Sequence, residues 1–149
     1  MSRVEQLTSY RERGLQGNQL DETTLIKDLG MLGDYHADGG ERQLTLISMK
    51  GKDWMHSAET KGLCFVKFHE NILIKEIILE TLPDHARLKI GDAVLELSQV
   101  RKKCYPEICK LAVKGAECLL MKEVRFAKVI NGGKIAIGME VIVIGDNIS

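Results

Sequence analysis

The 149-residue chain has no excess of charge, since 21 basic residues balance 21 acidic ones. A balanced chain offers no extended field for nucleic acid or an anionic membrane surface, so any electrostatic site must be local. No apolar run approaches the ~20 residues needed to span a bilayer. The N-terminal MSRVEQLTSYRERG lacks the apolar core of a signal peptide. Internal repeats and low-complexity tracts are also missing. These absences lead to the expectation of a cytoplasmic protein with no nucleic-acid or membrane partner. Its thiols would then stay reduced, which argues against disulfides. The length suits one domain, residues 1–149, able to bury roughly 68–70% of its unfolded surface without covalent or metal staples.

What is present falls into a polar, weakly patterned front and a strand-rich back. Residues 1–40 are punctuated by glycines around one apolar stretch, Thr24 to Leu32. The run Gln43 to Lys50 alternates and reads as a strand, and the segment that follows it (GKDWMHSAETKG) as a brief helix or turn. Further strands are expected at Cys64 to Phe68, Ile72 to Leu79, Ala86 to Gly91, Ala93 to Val100, VRFAKVI, KIAIG and MEVIVIG. Asn131-Gly132-Gly133 signals a tight hairpin, because these residues tolerate positive φ. Pro106 to Val113 could form a short helix. Short strands with turns every 8–12 residues point to an all-β barrel or sandwich.

Chemical reach is concentrated in VRKKCYPEICKLAVKGAECLL, which holds Cys104, Cys109 and Cys118. A thiolate can attack, carry sulfur or bind a soft metal. Lys102 and Lys103 favour the thiolate at Cys104, modestly if they are exposed. The C-x4-C-x8-C spacing is not the C-x2-C of a zinc knuckle. Cys64, in an apolar run, reads as core.

Five blocks, in order, carry a family likeness: GDYHADGGERQLTLIS (Gly33 to Ser48), VKFHENI (Val66 to Ile72), LKIGDAVLELSQVRKKC (Leu88 to Cys104), CKLAVKGAECLLM (Cys109 to Met121) and FAKVINGGKIAIGMEVIVI (Phe126 to Ile144). Their combination resembles the MOSC domain, found at the C-terminus of molybdenum cofactor sulfurases and alone in small bacterial proteins. The resemblance runs from about Gly30 to Ile144, which leaves 1–29 as an N-terminal extension of the same domain. It implies a mainly β, MOSC-type β-barrel with a few short peripheral helices. It also implies a signature cysteine after the Gly-Asp turn, and Cys104 holds that place. In the family this position looks like a molybdenum thiolate ligand, or the acceptor of a persulfide sulfur. The chain departs from the family pattern at Tyr105, Lys122, Val124-Arg125-Phe126 and Gly138-Met139. Tyr105 stands where a histidine is usual, so a neighbouring acid or base is lost.

The resemblance suggests a sulfur-carrier or molybdenum-cofactor-binding module in molybdenum cofactor and metal-sulfur maturation, with Cys104 as persulfide acceptor or molybdenum ligand. Its partners would be a cysteine desulfurase or molybdenum cofactor biosynthesis proteins, and pyridoxal phosphate would enter only through a partner desulfurase. His36 could bond a cofactor phosphate or move a proton near Cys104. Arg42 could grip an anion in bidentate fashion. Asn71 could contact ligand polar groups, although Glu70 and Asn71 read rather as structural, and Arg101 could add positive potential. Cys109 and Cys118 are auxiliary thiols. The alternatives are a molybdenum-cofactor-dependent oxidoreductase component and a thiol-based metal-binding or redox-sensing domain.

Overall fold

The computed structural model describes residues 1–12, 16–57, 69–100 and 120–145. Its elements are β1 (Arg3–Ser9), β2 (Asn18–Leu20), β3 (Glu22–Ile26), β4 (Gly30–Met31), β5 (Leu44–Ser48), α1 (Met49–Ser57), β6 (Ile72–Lys75), a 3-10 turn (Leu79–Thr81), β7 (Arg87–Ile90), β8 (Ala93–Leu97), α2 (Leu120–Glu123), β9 (Val124–Asn131), β10 (Gly133–Ala136) and β11 (Val141–Gly145). The chain is mainly β, in a MOSC-type barrel arrangement with short helices outside it. The expected strand at Cys64 to Phe68 and the helix at Pro106 to Val113 lie outside the described residues.

Eight strands form one sheet in the order β11-β7-β8-β9-β5-β6-β1-β2, and β10-β3-β4 form a second. Among the described residues, β5 and β6 alone run parallel in the large sheet, and its other pairs are antiparallel. The sheet curls until β1 meets the entry to β11. There the Val4 amide donates to the Met139 carbonyl (2.9 Å), Gly138 donates to Val4 (2.8 Å) and Val141 donates to Ser2 (2.8 Å). Curling brings the inward faces of both sheets onto one core that includes Leu7, Leu25, Leu46, Leu88, Leu95, Val129 and Ile135. Each fully buried leucine contributes about 1.5–3 kcal/mol relative to leaving it exposed. Ile47, Leu73 and Val124 point the other way and are covered by Met55 of α1, with Met49 and Trp54 packed beside them. That second cover explains why all five residues of β5 are buried.

The front of the chain is more ordered than its pattern suggests. Four strands lie before residue 32, and β1 pairs with β6 inside the large sheet. β2 and β4, at 3 and 2 residues, are too short to show alternation.

Several boundaries also move. The strand expected through Lys50 stops at Ser48, because the Ser48 hydroxyl accepts the Gly51 amide (3.1 Å) as an N-cap and starts α1. The strand expected over Ile72 to Leu79 stops at Lys75, where Glu76 takes a positive φ of 59°. Glu123 and Arg125 then hold the turn that follows. The buried Glu123 carboxylate accepts from the Ser48 hydroxyl (3.0 Å) and the Leu79 amide (3.2 Å). The Arg125 guanidinium donates to the carbonyls of Leu79 (3.3 Å) and Leu82 (2.6 Å) and to Asp84 (3.0 Å). At Arg125, then, the departure from the family pattern has a structural use.

Asn131-Gly132-Gly133 does not close a hairpin of β9 on β10, since β10 pairs with β3 of the second sheet. Nor do these glycines take positive φ. Their value is closeness: a Cβ on Gly132 would lie 2.7 Å from the Leu25 carbonyl oxygen, and one on Gly133 would lie 3.0 Å from the Ala93 nitrogen. Both obstacles are backbone. Gly132→Ala should therefore lower stability by about 1–3 kcal/mol, read as a fall in the urea midpoint. An unchanged midpoint would show that the crossing is looser than described.

Candidate functional site

One end of the barrel gathers the exit of β1, the entries of β5 and β6, and the exit of β8. Asn71, just before β6, ties this end together. Its amide donates to the Thr45 carbonyl (2.8 Å) and its carbonyl accepts the Thr8 amide (2.9 Å). Its side-chain oxygen accepts the Thr45 amide (2.9 Å), and its Nδ2 donates to the Thr8 carbonyl (3.1 Å) and to Asp34 Oδ1 (3.0 Å). Asn71 has no exposed surface. In this structure it acts on its surroundings through Asp34 and the strands, and its side chain offers no face to a ligand.

Gly33, at φ 82°, turns the chain left-handed just before Asp34. The Asp34 side chain is fully buried. It accepts from the Tyr10 amide (2.7 Å), the His36 amide (2.9 Å), His36 Nδ1 (2.7 Å) and Asn71 Nδ2. Burial pushes its carboxyl up, but the His36 side chain and the two amides outweigh it and hold it below the ordinary carboxylate range. The His36 ring is consequently fixed with Nδ1 on the carboxylate, and Nε2 is left for chemistry. This part of the loop makes an oriented imidazole at the rim of the barrel.

Asp34 gives the acid behaviour a definite sign. Its folded carboxyl lies below the ordinary value of 3.8, so the stability it brings is present above that value. That stability is lost as pH falls through the folded value. Asp34→Asn should flatten the acid limb of the stability curve below 3.8 while lowering stability at neutral pH. A steeper acid limb in the variant would contradict the assignment.

Four rings line the same end. Tyr10 stacks on His69 (centroids 4.1 Å apart, 10° between planes), and Tyr35 lies on His36 (3.9 Å, 32°). Burial, then the charges of Glu70 and Asp34, push the Tyr10 hydroxyl far up, so it stays protonated. Behind His69, the nearly buried Glu70 pairs with Lys52 of α1.

The far end of the loop is fastened to β8 and β9. Glu41 accepts from the Ser98 hydroxyl (2.9 Å) and from Lys128 (3.3 Å), and both bonds hold its carboxyl low. The Gln43 side-chain oxygen accepts the Val129 amide (2.9 Å). The exposed Arg42 guanidinium rides 4.8 Å above the Phe126 ring. Ser98 also accepts the Val100 amide (3.1 Å), which turns the chain out of β8 against this loop.

His36, Arg42 and Asn71 thus come to one end of the barrel. Cys104, Arg101, Cys109 and Cys118 lie outside the described residues, as does Cys64. Among the described residues, no group of three His, Cys, Asp or Glu side chains is arranged to hold a metal. Sequence reading did not single out Asp34, Tyr35, His69 or Tyr10. Asp34 and His69 lie inside the blocks GDYHADGG and FHENI, where a carboxylate two residues before a histidine was a usable signal. Tyr10 comes from the front and carried none.

The geometry has counterparts. The chain is similar in fold to the YuaD protein from Bacillus subtilis, with 17% identity, 95% of this chain and 94% of that one covered, and a TM-score of 0.69. It is also similar to YiiM from Geobacillus stearothermophilus (13% identity, 97% and 75% covered, TM-score 0.64) and to YiiM from Escherichia coli (21%, 94% and 69%, 0.56). No match was found among curated proteins. No helix among the described residues is long and apolar enough to cross a membrane. The family model for the MOSC domain matches residues 33–142, which include the His36–Arg42 loop, both strands of the parallel pair and the position of Cys104. The chain belongs to the MOSC domain family.

Proposed function

We propose that this protein is a sulfur carrier of molybdenum cofactor and metal-sulfur maturation, with Cys104 accepting sulfur as a persulfide at the end of the barrel that carries His36. The observation that supports this reading most is the exit of β8. Ser98 holds both Val100 and Glu41, so the chain four residues before Cys104 in sequence is fastened to the loop that presents His36 and Arg42. An acceptor thiol must lose its proton before it attacks, and an imidazole oriented by a carboxylate is suited to take it.

The reaction would run as follows. The Cys104 thiol gives its proton to His36 Nε2. The thiolate attacks the outer sulfur of a persulfide on a cysteine desulfurase, the sulfur–sulfur bond of the donor breaks, and a Cys104 persulfide forms. The donor's thiolate leaves and recovers a proton, and no oxidant or reductant is consumed. Pyridoxal phosphate would belong to the desulfurase and not to this chain.

The family also implies molybdenum cofactor, and the donor set fits it in kind. Arg42 suits an anionic phosphate, because its guanidinium is held by an aromatic face while its fork of donors remains suited to oxyanions. The Cys104 thiolate suits a soft metal. Glu41 and Glu70 are paired with Lys128 and Lys52, which offset their charges beside an anionic ligand. When bound, the cofactor would supply redox and oxo-transfer chemistry. Arg42 would grip its phosphate, and His36 would hold or release a proton beside it.

Incubation with a cysteine desulfurase and cysteine should add one sulfur atom to the protein by intact mass, and Cys104→Ser should gain none. A Cys104→Ser protein that still gains the sulfur would contradict the assignment. Stoichiometric molybdenum and pterin in protein purified from cofactor-replete cells, with no sulfur uptake, would favour the cofactor-holding reading instead.

A further inference from the structure

Tyr10 reaches the site from a part of the chain that the family model, which begins at residue 33, does not match. It follows β1, whose last residues pair with β2 as Thr8 with Gln19 and Ser9 with Asn18. Gly17, just before β2, lies against the Tyr10 ring: a Cβ there would stand 2.6 Å from Tyr10 Cε2 and 2.4 Å from Thr8 Cγ2. The same ring is stacked flat on His69. His69 meets the Tyr35 ring edge-on (6.2 Å, 81°), and Tyr35 lies on His36. Packing therefore runs without a break from Gly17 to His36. We propose that Tyr10 is a positioning residue of this site, which steadies His36 through the intervening rings, and that β1 and β2 are thereby a working part of the site. The reaction assigned to His36 rests on the sulfur-carrier reading; the placement of the rings does not.

The backbone of Tyr10 fixes the same arrangement. Its amide donates to Asp34 (2.7 Å) and its carbonyl accepts the Tyr35 amide (2.8 Å). These are the two loop residues that come just before His36. Asp34 then holds His36 at Nδ1 (2.7 Å), and Tyr35 covers its ring. A single hydrogen bond at Nδ1 leaves an imidazole free to tilt about it, and packing against another ring removes that freedom. A proton acceptor displaced by about 1 Å loses much of its effect, so the packing bears on rate.

Gly17 is what lets the Tyr10 ring sit where it does. Its backbone does not take a positive φ, so alanine meets no strain there. The obstacles to its Cβ are side-chain atoms of Thr8 and Tyr10, which can move. Gly17→Ala should therefore leave the strands paired and displace the Tyr10 ring, without altering any residue of the loop that carries His36.

The test compares full-length wild type with Gly17→Ala, Tyr10→Leu and Tyr10→Phe. The ring protons of the four histidines are followed by NMR at one pH above their titration, with the exposed His56 and His85 as references and His36→Gln and His69→Gln for assignment. In the wild type the neighbouring tyrosine rings should displace the His36 and His69 signals from those references. In Gly17→Ala and Tyr10→Leu both should move, whereas Tyr10→Phe, which keeps a ring, should leave them in place. Sulfur loading at saturating desulfurase should fall about 10-fold in Gly17→Ala, with the half-saturating desulfurase concentration unchanged, and Tyr10→Phe should restore the wild-type rate that Tyr10→Leu loses. If Gly17→Ala does not fold, Tyr10→Leu carries the same measurements. His36 signals that stay in place overturn the proposal, as does an unchanged loading rate beside displaced rings. Displaced rings, in a protein whose wild type takes up no sulfur, support the placement and sink the carrier reading alone.

Discussion

Asn71→Ala should lower folding stability by about 3–5 kcal/mol, a large share of what a domain of this size holds. The side chain is fully buried and makes three hydrogen bonds. Its removal leaves the Thr45 amide and the Thr8 carbonyl without the partners they have in the folded state, and withdraws one donor from the buried Asp34. The backbone bonds of residue 71 to β1 and β5 are placed by the same side chain, so the loss falls on three adjacent strands together. Urea unfolding should show a much lower midpoint with an unchanged slope. A loss below about 1 kcal/mol would mean that water or a neighbour replaces the amide at little cost.

His36→Gln should slow sulfur loading of Cys104 by about 10²-fold at neutral pH, within the range that a positioned proton acceptor supplies. Glutamine keeps an N–H donor for Asp34 but has no titratable nitrogen, so the loop has reason to stay in place while the proton acceptor is lost. The rate should become steeply dependent on pH in the variant, following the Cys104 thiol alone. Equal rates for variant and wild type across the pH range would remove His36 from the reaction. An Asp34→Asn protein should fall between the two, because an amide orients the ring less strongly than a carboxylate.

The barrel was legible where strands bury large or β-branched apolar residues. Leu44 to Ser48, Arg87 to Ile90, Ala93 to Leu97 and Val124 to Asn131 announce themselves through β-branched and large apolar residues. The front was not legible, because β2 and β4 are only 3 and 2 residues long and β3 pairs with β10, far along the chain. The glycines at 132 and 133 were read for a turn when their use is to let backbones cross, a distinction that needs the third dimension.

For the site, His36 and Arg42 were visible as reactive residue types in a glycine-rich loop. Asn71 stood beside them as a polar residue at the mouth of a strand, and its burial could not be read from that. What residue type alone does not disclose is orientation. Asp34 became important because four donors converge on it, and Tyr10 because its amide and ring reach the loop from the exit of β1. Convergence of that kind is a property of register between β1, β5 and β6, which no local pattern encodes.

The measurement that bears most directly on the account is the position of the transferred sulfur. The protein is loaded with cysteine desulfurase and cysteine, the persulfide is trapped by alkylation at successive times, and peptides are mapped by mass in wild type and His36→Gln. The account predicts trapped persulfide on Cys104 first, arriving about 10²-fold more slowly in His36→Gln. Label arriving first on Cys64, Cys109 or Cys118, or at the same rate in both proteins, would contradict it.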